Sequence, residues 1–273
     1  MRQININGAT LNVFERGAGP TLLLIHGFPL NHTMWVSQLE SLGGNNRLIA
    51  PDLRGFGRST FAAAAAAGET VTMEQFADDL ASMLDQLALR QPVCLCGLSM
   101  GGYIAMAFLR KYRDRVRSLI LCDTRSVADS PEAAAGRRQM ADKVLVAGSA
   151  MVADAMLPKL LHPRTAADRP QLAQAVRTMI LETDPRGIAA AQRGMAVRPD
   201  CTDLLPTIGV RTLVLVGQED AISPVEEMRK LAGAIPGAEF QVVPDAGHMA
   251  PLENPDFVNA AIASFLANEL HAR

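Results

Sequence analysis

The chain lacks the features that mark several classes of protein. Its 273 residues include only four cysteines, and its formal net charge is −2. None of its apolar runs reaches roughly 20 residues, the length that spans a bilayer, and its start alternates apolar and polar residues without the apolar block of a signal peptide. The small charge is spread along the chain and does not favour nucleic acid or an anionic membrane as partner. We therefore expect a cytoplasmic protein built around one large core.

The cysteines are arranged like buried thiols and not like disulfides or metal ligands. Cys94 and Cys96 lie two apart in one apolar run, so that both side chains point to the same face of a predicted strand. Cys122 ends another such run. No second pair of cysteines or histidines lies at zinc-ligand spacing. The sequence therefore predicts reduced cysteines and no metal site.

Short apolar runs alternate with helical patterns over most of the chain, and Asn7-Gly8 between the first two runs is a hairpin signal. A helix is predicted over Thr72–Leu89, with Thr72 and Gln75 as a capping box, and another over Pro255–Leu266. This alternation predicts an α/β fold with a mostly parallel, doubly wound sheet. The predicted strands are Gln3–Ile6, Leu11–Glu15, Thr21–Ile25, Arg47–Ala50, Val93–Cys96, Val116–Cys122, Arg211–Val216 and Phe240–Val243.

One segment interrupts the alternation, because no strand signal appears between Cys122 and Thr212. We predict a helical cap of residues 125–205, inserted into a core made of residues 1–124 and 206–273. Its methionine and leucine residues are expected to form the core of the cap, with some facing the site as an adaptable apolar wall. The alanine run 62–67 is consistent with a short helix or a loop. The helical runs of the cap are Glu132–Ala147, Ala150–Leu161, Gln171–Thr183 and Ile188–Met195.

The most informative segment is 97–102, Gly-Leu-Ser-Met-Gly-Gly, which lies between an apolar strand and a run that favours a helix. Glycines on both sides of Ser99 allow the backbone to pass close to itself. This pattern is typical of a nucleophile elbow, which holds a serine hydroxyl above the sheet at a helix N-terminus. Short Gly-x-Ser-x-Gly sequences also occur in ordinary turns, so the interpretation of Ser99 as nucleophile depends on its partners.

A serine hydroxyl needs a base, and a histidine base needs an acid that orients it. His248 follows the last predicted strand, and Asp220 follows the strand before it, so both are expected at the edge of the sheet that carries the elbow. Asp220 is the preferred acid, and Asp123 and Glu219 remain open as alternatives. The order Ser99, Asp220, His248 matches the chain order of a known triad arrangement.

Two backbone N–H groups are candidates for binding a developing oxyanion. The first belongs to Met100, which directly follows the nucleophile. The second belongs to Phe28, in the loop after the strand Thr21–Ile25, because the next residue is a proline without an N–H. The alternative interpretation is that this loop is only a tight turn.

These motifs together resemble the α/β-hydrolase superfamily, in order and over nearly the full length. Ser99 at the elbow differs from haloalkane dehalogenases and soluble epoxide hydrolases, which use an aspartate there. The similarity is greatest to bacterial carboxylesterases and to 3-oxoadipate enol-lactonases, and segment 154–159 in the predicted cap fits both. The resemblance rests on segments 24–29, 51–59 and 97–102, on Trp35 and Asp220, and on Gly247-His248.

The resemblance implies an α/β-hydrolase fold and a serine hydrolase that cleaves a small carboxylic ester or lactone through an acyl-enzyme, without metal or organic cofactor. An enol-lactonase substrate carries a carboxylate, for which Arg125 is a candidate partner; a solvated surface position is the alternative. Other activities open to the same triad are perhydrolysis and hydrolysis of a carbon–carbon bond. A ligand receptor built on this fold is the alternative that is not an enzyme.

Overall fold

The computed structural model describes residues 1–6, 8–61 and 68–271. The predicted turn residue Asn7 and the alanine run 62–67 lie outside the described residues. The eight strands are β1 Arg2–Ile6, β2 Ala9–Arg16, β3 Thr21–Ile25, β4 Arg47–Pro51, β5 Val93–Leu98, β6 Val116–Cys122, β7 Arg211–Gly217 and β8 Glu239–Val243.

All eight strands form one sheet, in the spatial order β1-β2-β4-β3-β5-β6-β7-β8. The β1–β2 and β2–β4 pairs are antiparallel, and every other neighbouring pair is parallel. Strands β3 and β5 are buried along their whole length, as expected for central parallel strands covered on both faces. The predicted mostly parallel sheet is confirmed, and the carboxyl ends of its parallel strands share one edge.

Helix α2 shows how local signals build the layers beside the sheet. The hydroxyl of Thr72 accepts a hydrogen bond from the N–H of Gln75 at 3.2 Å and caps the helix as predicted. The helices are α1 Val36–Ser41, α2 Met73–Gln86, α3 Met100–Lys111, α4 Pro131–Ala147, α5 Ser149–Leu160, α6 Thr165–Asp168, α7 Pro170–Leu181, α8 Pro185–Ala196, α9 Val225–Gly233, α10 Ala250–Glu253 and α11 Pro255–His271.

Helices α4 to α8 form a helical insertion, residues 131–196, between β6 and β7. This segment contains helices and no strand, as the sequence predicts, and α4 packs along α8. Helices α1, α6, α9 and α10 were not predicted. They are four to nine residues long, too short for a helical period to stand out from the sequence.

A buried ion pair ties the two ends of the helical insertion together. Asp129 precedes α4 and Arg198 follows α8, and their side chains meet at 2.7 Å with about a twentieth of each exposed. The guanidinium of Arg198 also lies 4.3 Å from the ring centre of Tyr103 in α3. The insertion is thereby anchored beside the helix that follows the predicted elbow.

The four cysteines are buried and free of disulfides. None of the helices in the described ranges is both long enough and apolar enough to cross a membrane.

Candidate active site

Ser99 lies at the carboxyl end of β5, directly before α3, with a left-handed φ of +54°. Its N–H donates to the carbonyl of Cys122 at 2.9 Å, which holds the turn against β6. The turn is tight, because a Cβ on Gly101 would lie 2.2 Å from the carbonyl oxygen of Ile25. This is the strained geometry of a nucleophile elbow, and it leaves Ser99 partly exposed.

Asp220 and His248 form a buried hydrogen-bonded pair at the same edge. The Nδ1 atom of His248 lies 2.8 Å from Oδ2 of Asp220, and both side chains are almost completely buried. The other oxygen of Asp220 accepts from the N–H groups of Ile222 at 2.7 Å and Ser223 at 2.9 Å. These bonds fix the carboxylate, which orients the imidazole in turn.

The environment keeps the Asp220 carboxylate charged. Burial by itself raises the pKa of Asp220, but the imidazole of His248 and the two backbone N–H donors outweigh burial and hold this pKa below its ordinary value. A charged Asp220 requires its partner nitrogen to carry hydrogen, so Nδ1 of His248 is the donor and Nε2 is left for other partners.

The loops after β7 and β8 meet closely, which brings the acid and the base together. A Cβ on Gly217 would lie 1.9 Å from the carbonyl oxygen of Gly247, so only glycine permits this approach. Within the described ranges, no hydrogen bond reaches the hydroxyl of Ser99. The structure thus places Ser99, Asp220 and His248 at one sheet edge and joins the last two directly.

The two alternative acids occupy different positions. Glu219 is exposed, and its backbone N–H binds the carbonyl of Ala246 at 2.9 Å. Asp123 is completely buried, and one of its oxygens accepts from the N–H of Gly217 at 2.7 Å. Asp220 therefore makes the hydrogen bond to the imidazole, and one oxygen of Asp123 lies within 4.8 Å of this pair.

The two predicted oxyanion donors are free. Neither the N–H of Phe28 nor that of Met100 donates a hydrogen bond to any residue that the structure describes. The loop that carries Phe28 lies against the elbow, because a Cβ on Gly27 would be 3.5 Å from Cβ of Ser99 and 2.7 Å from Cδ2 of Leu98. These donors can bind a negatively charged oxygen beside Ser99.

His26 holds this loop in place and was not predicted to do so. Its Nε2 accepts from the N–H of Leu53 at 2.9 Å, and its Nδ1 lies 2.9 Å from the carbonyl oxygen of Gly27. The ring must therefore be neutral with hydrogen on Nδ1, and burial lowers the pKa of His26 to about 4. His26 thus connects the loop after β3 to the loop after β4.

Glu253 is a second residue that sequence reasoning missed. Its carboxylate is buried and accepts from the N–H of Gly247 at 2.8 Å, the N–H of His162 at 2.7 Å and the hydroxyl of Thr165. Glu253 therefore joins the His248 loop, residues 244–249, to the segment between α5 and α6. The sequence signal for this role is an acidic residue that directly follows the apolar stretch 249–252.

Arg125 is occupied by other partners. Its guanidinium donates to the carbonyl of Ile222 at 2.6 Å and lies 3.1 Å from Glu227. Arg125 therefore already has an acidic partner within the fold, with about a third of its side chain exposed.

One group of potential metal ligands occurs among the described residues, namely Asp123, Asp220 and His248, with one ligand atom from each within 4.8 Å of the others. The oxygens of Asp220 already have N–H partners. Hydrogen bonding therefore accounts for the position of Asp220 in this cluster, where its carboxylate meets the imidazole of His248.

Residues 20–255 match the protein family described as alpha/beta hydrolase fold. The AB hydrolase superfamily protein YisY of Bacillus subtilis is 30% identical over 272 residues, with 94% of this chain and 95% of that protein covered. The family match spans strands β3 to β8, the helical insertion and every predicted site residue.

Two solved structures are similar over almost their whole length. A thermophilic esterase from Thermogutta terrifontis has a TM-score of 0.94 at 47% identity, covering 98% of this chain and 99% of that chain. The enol-lactonase from Burkholderia xenovorans LB400 has a TM-score of 0.88 at 28% identity, covering 97% and 100% of the two chains.

Proposed function

This chain belongs to the alpha/beta hydrolase family, and we propose that it is a serine hydrolase that cleaves a small carboxylic ester through an acyl-enzyme. The observation that carries the proposal is the buried Asp220–His248 hydrogen bond of 2.8 Å at the sheet edge that presents Ser99. An orienting acid, a histidine and a serine on a strained elbow are the parts that nucleophilic acyl transfer needs.

In the proposed first half-reaction, the Ser99 hydroxyl attacks the ester carbonyl while Nε2 of His248 takes its proton. Asp220 stabilises the imidazolium that forms and keeps the ring in the correct tautomer. The N–H groups of Phe28 and Met100 bind the negative oxygen of the tetrahedral intermediate. His248 then protonates the leaving alcohol, and the acyl group stays on Ser99.

In the second half-reaction, a water molecule replaces the alcohol. His248 takes a proton from the water as it attacks the acyl-enzyme, and the same two N–H groups bind the oxyanion again. Collapse returns the proton to Ser99 and releases the carboxylic acid. Because His248 carries out each proton transfer, the proposed cycle needs only the substrate and water as reactants.

We place simple esters ahead of lactones that carry a free carboxylate. Such a lactone needs a cation to bind its carboxylate, and the candidate Arg125 is paired with Glu227 at 3.1 Å. The esterase from Thermogutta terrifontis is also more similar in sequence than the enol-lactonase from Burkholderia xenovorans, at 47% against 28% identity. Lactones therefore belong in the same substrate panel as the second candidate.

The direct test is Ser99→Ala, assayed with p-nitrophenyl acetate and butyrate. We expect turnover to fall by at least about 10³-fold, because the acyl-enzyme can no longer form. The matched control is Ser118→Ala. Ser118 is buried in β6, and its hydroxyl has no hydrogen-bond partner in the part of the chain that the structure describes, so its removal should leave turnover within about twofold of wild type.

A fluorophosphonate probe gives the complementary measurement. We expect one covalent adduct on the peptide that contains Ser99, with loss of labelling in Ser99→Ala and normal labelling in Ser118→Ala. Labelling without multiple turnovers on any ester or lactone of the panel contradicts an enzyme and favours a receptor. Full esterase activity in Ser99→Ala rejects the proposal.

A further inference from the structure

Asp123 occupies a position that the proposed mechanism does not use. It follows β6 with a left-handed φ of +48° and is completely buried. Its backbone N–H donates to the carbonyl of Leu215 at 2.9 Å, and its Oδ1 accepts from the N–H of Gly217 at 2.7 Å. The side chain is therefore held at the end of β7, with one of its oxygens within 4.8 Å of an oxygen of Asp220.

The second oxygen of Asp123 is the unusual one. Oδ2 is buried and accepts no hydrogen bond from any N–H or O–H group of the described residues. One oxygen of Asp123, one oxygen of Asp220 and one ring nitrogen of His248 nevertheless lie within 4.8 Å of one another. A buried carboxylate oxygen without a donor is costly, whereas a protonated carboxyl could itself donate.

The surrounding charges favour protonation of one member of the pair. In the described ranges no lysine or arginine forms an ion pair with Asp123 or Asp220, and the base bound to Asp220 is His248. The thiol of the preceding residue Cys122 also acts on the charge of Asp123, and the Ser223 hydroxyl donates to the Asp123 carbonyl at 3.2 Å. Ionising both of two buried carboxyl groups at this separation costs electrostatic free energy, because the like charges repel each other away from water.

The environments of the two carboxyl groups shift their pKa values in opposite directions. Burial first, and then the charge of Asp220, raise the pKa of Asp123 well above its ordinary value. Asp220 has three N–H or imidazole partners, and its pKa is held low. The negative charge of the pair therefore belongs on Asp220.

We propose that Asp123 is a positioning residue that remains protonated at neutral pH and donates a hydrogen bond from Oδ2 to the carboxylate of Asp220. The pair then carries one proton and one negative charge, and that charge faces His248. This inference rests on the proposed function only for its kinetic consequences. The protonation state of Asp123 holds whatever the substrate is.

The test compares two isosteric variants, Asp123→Asn and Asp220→Asn, through the pH dependence of kcat/KM on p-nitrophenyl acetate. Asp123→Asn replaces a neutral donor with a neutral amide donor. We expect kcat to fall by about threefold to tenfold, with KM and the midpoint of the acid limb unmoved. Asp220→Asn removes the charged member, so its acid limb should move to lower pH by more than about one unit.

The opposite charge assignment predicts a different outcome. If Asp123 is ionised, Asp123→Asn removes a negative charge within 4.8 Å of the imidazole, and the acid limb moves to lower pH as it does in Asp220→Asn. That shift overturns the proposal. A kcat equal to wild type in Asp123→Asn with the midpoint unmoved also overturns the positioning role, since the weaker donor then makes no difference.

An infrared measurement tests the same assignment without activity. The difference spectrum of wild type minus Asp123→Asn, recorded at neutral pH, should contain the carbonyl stretch of a protonated carboxylic acid. Its absence overturns the proposal even if Ser99→Ala behaves as expected. Its presence with an active Ser99→Ala variant instead rejects the proposed function and leaves the protonated Asp123 standing.

Discussion

His26 and Asp220 are both buried in the site, but His26 is neutral and Asp220 is charged. Both are removed from water, which disfavours the charged form of either group. His26 meets one backbone acceptor and one backbone donor, so its neutral tautomer satisfies both. Asp220 meets N–H donors and an imidazole, so its charged form is retained. The partners of each residue, and not burial alone, decide its protonation state.

His26 should make the stability of the protein depend on pH. Because its pKa is about 4 in the fold against 6.5 ordinarily, the unfolded chain binds the proton more readily between these values. The contribution of His26 to the free energy of unfolding is therefore complete above pH 6.5. About 3 kcal/mol of it is lost as the pH falls from 6.5 to about 4.

Urea unfolding of wild type and His26→Gln over this pH range checks the prediction. We expect the free energy of unfolding to fall less steeply with acid in the variant, because glutamine does not titrate. The same comparison above the ordinary histidine pKa measures the loss of packing and hydrogen bonds alone. Parallel curves for the two proteins contradict the assigned role of His26.

At the scale of elements, the site depends on contacts between the helical insertion and the His248 loop. The carbonyl of Leu160 at the end of α5 accepts from the N–H of Met249 at 3.1 Å, and Glu253 binds both Gly247 and the segment after α5. A Cβ on Gly247 would lie 2.6 Å from the backbone nitrogen of His162. The loop that carries His248 is therefore held by the insertion as well as by β8.

Replacing Glu253 with glutamine should impair catalysis more than binding. The amide offers one acceptor oxygen where the carboxylate offers two, so one of the buried N–H donors of Gly247 and His162 loses its partner. We expect kcat for p-nitrophenyl acetate to fall by about tenfold or more, with KM within about twofold, because the base is displaced from its working position.

Thr165→Val is the matched control for Glu253→Gln. It removes only the hydroxyl donor to Glu253 on the insertion side and leaves the contact with Gly247 in place, so we expect kcat to fall by less than about threefold. Equal losses in the two variants, or a loss confined to KM, contradict a role of Glu253 in positioning His248.

At the scale of the whole molecule, the fold must hold an insertion of five helices between two neighbouring strands of a single sheet. The Asp129–Arg198 pair closes this insertion at its base, with Arg137 as a further partner of Asp129. Burial raises the pKa of Asp129, but the two guanidinium groups outweigh burial and lower this pKa. Removing either member of the Asp129–Arg198 pair leaves the other as a buried charge without its counter-ion.

Asp129→Asn should therefore destabilise the fold strongly. We expect the free energy of unfolding in urea to fall by about 3–5 kcal/mol, because Arg198 stays buried and loses its counter-ion. Asp142→Asn is the control, since Asp142 pairs with Arg193 but is 74% exposed, and its loss should stay below about 1 kcal/mol. Similar losses in the two variants contradict the anchoring role of Asp129.

Much of the fold could be read from local patterns. The β3 run Thr21–Ile25 and the β6 run Val116–Cys122 were predicted with their observed bounds, because uninterrupted apolar runs already define buried strands. Helix α2 and its Thr72 cap followed from residues within one turn of each other. Short helices such as α9 and α10 were missed, since their formation depends on tertiary packing more than on local periodicity.

The strands, the longer helices and their alternation were determined by the sequence itself, because neighbouring side chains suffice to specify them. The choice among Asp123, Asp220 and Glu219, and the attachment of Glu253 to Gly247, was decided only by the tertiary structure. Each choice depends on how far a strand runs and which way its next residue points, and a shift of one residue reverses that direction. Contacts between distant parts of the chain set that register.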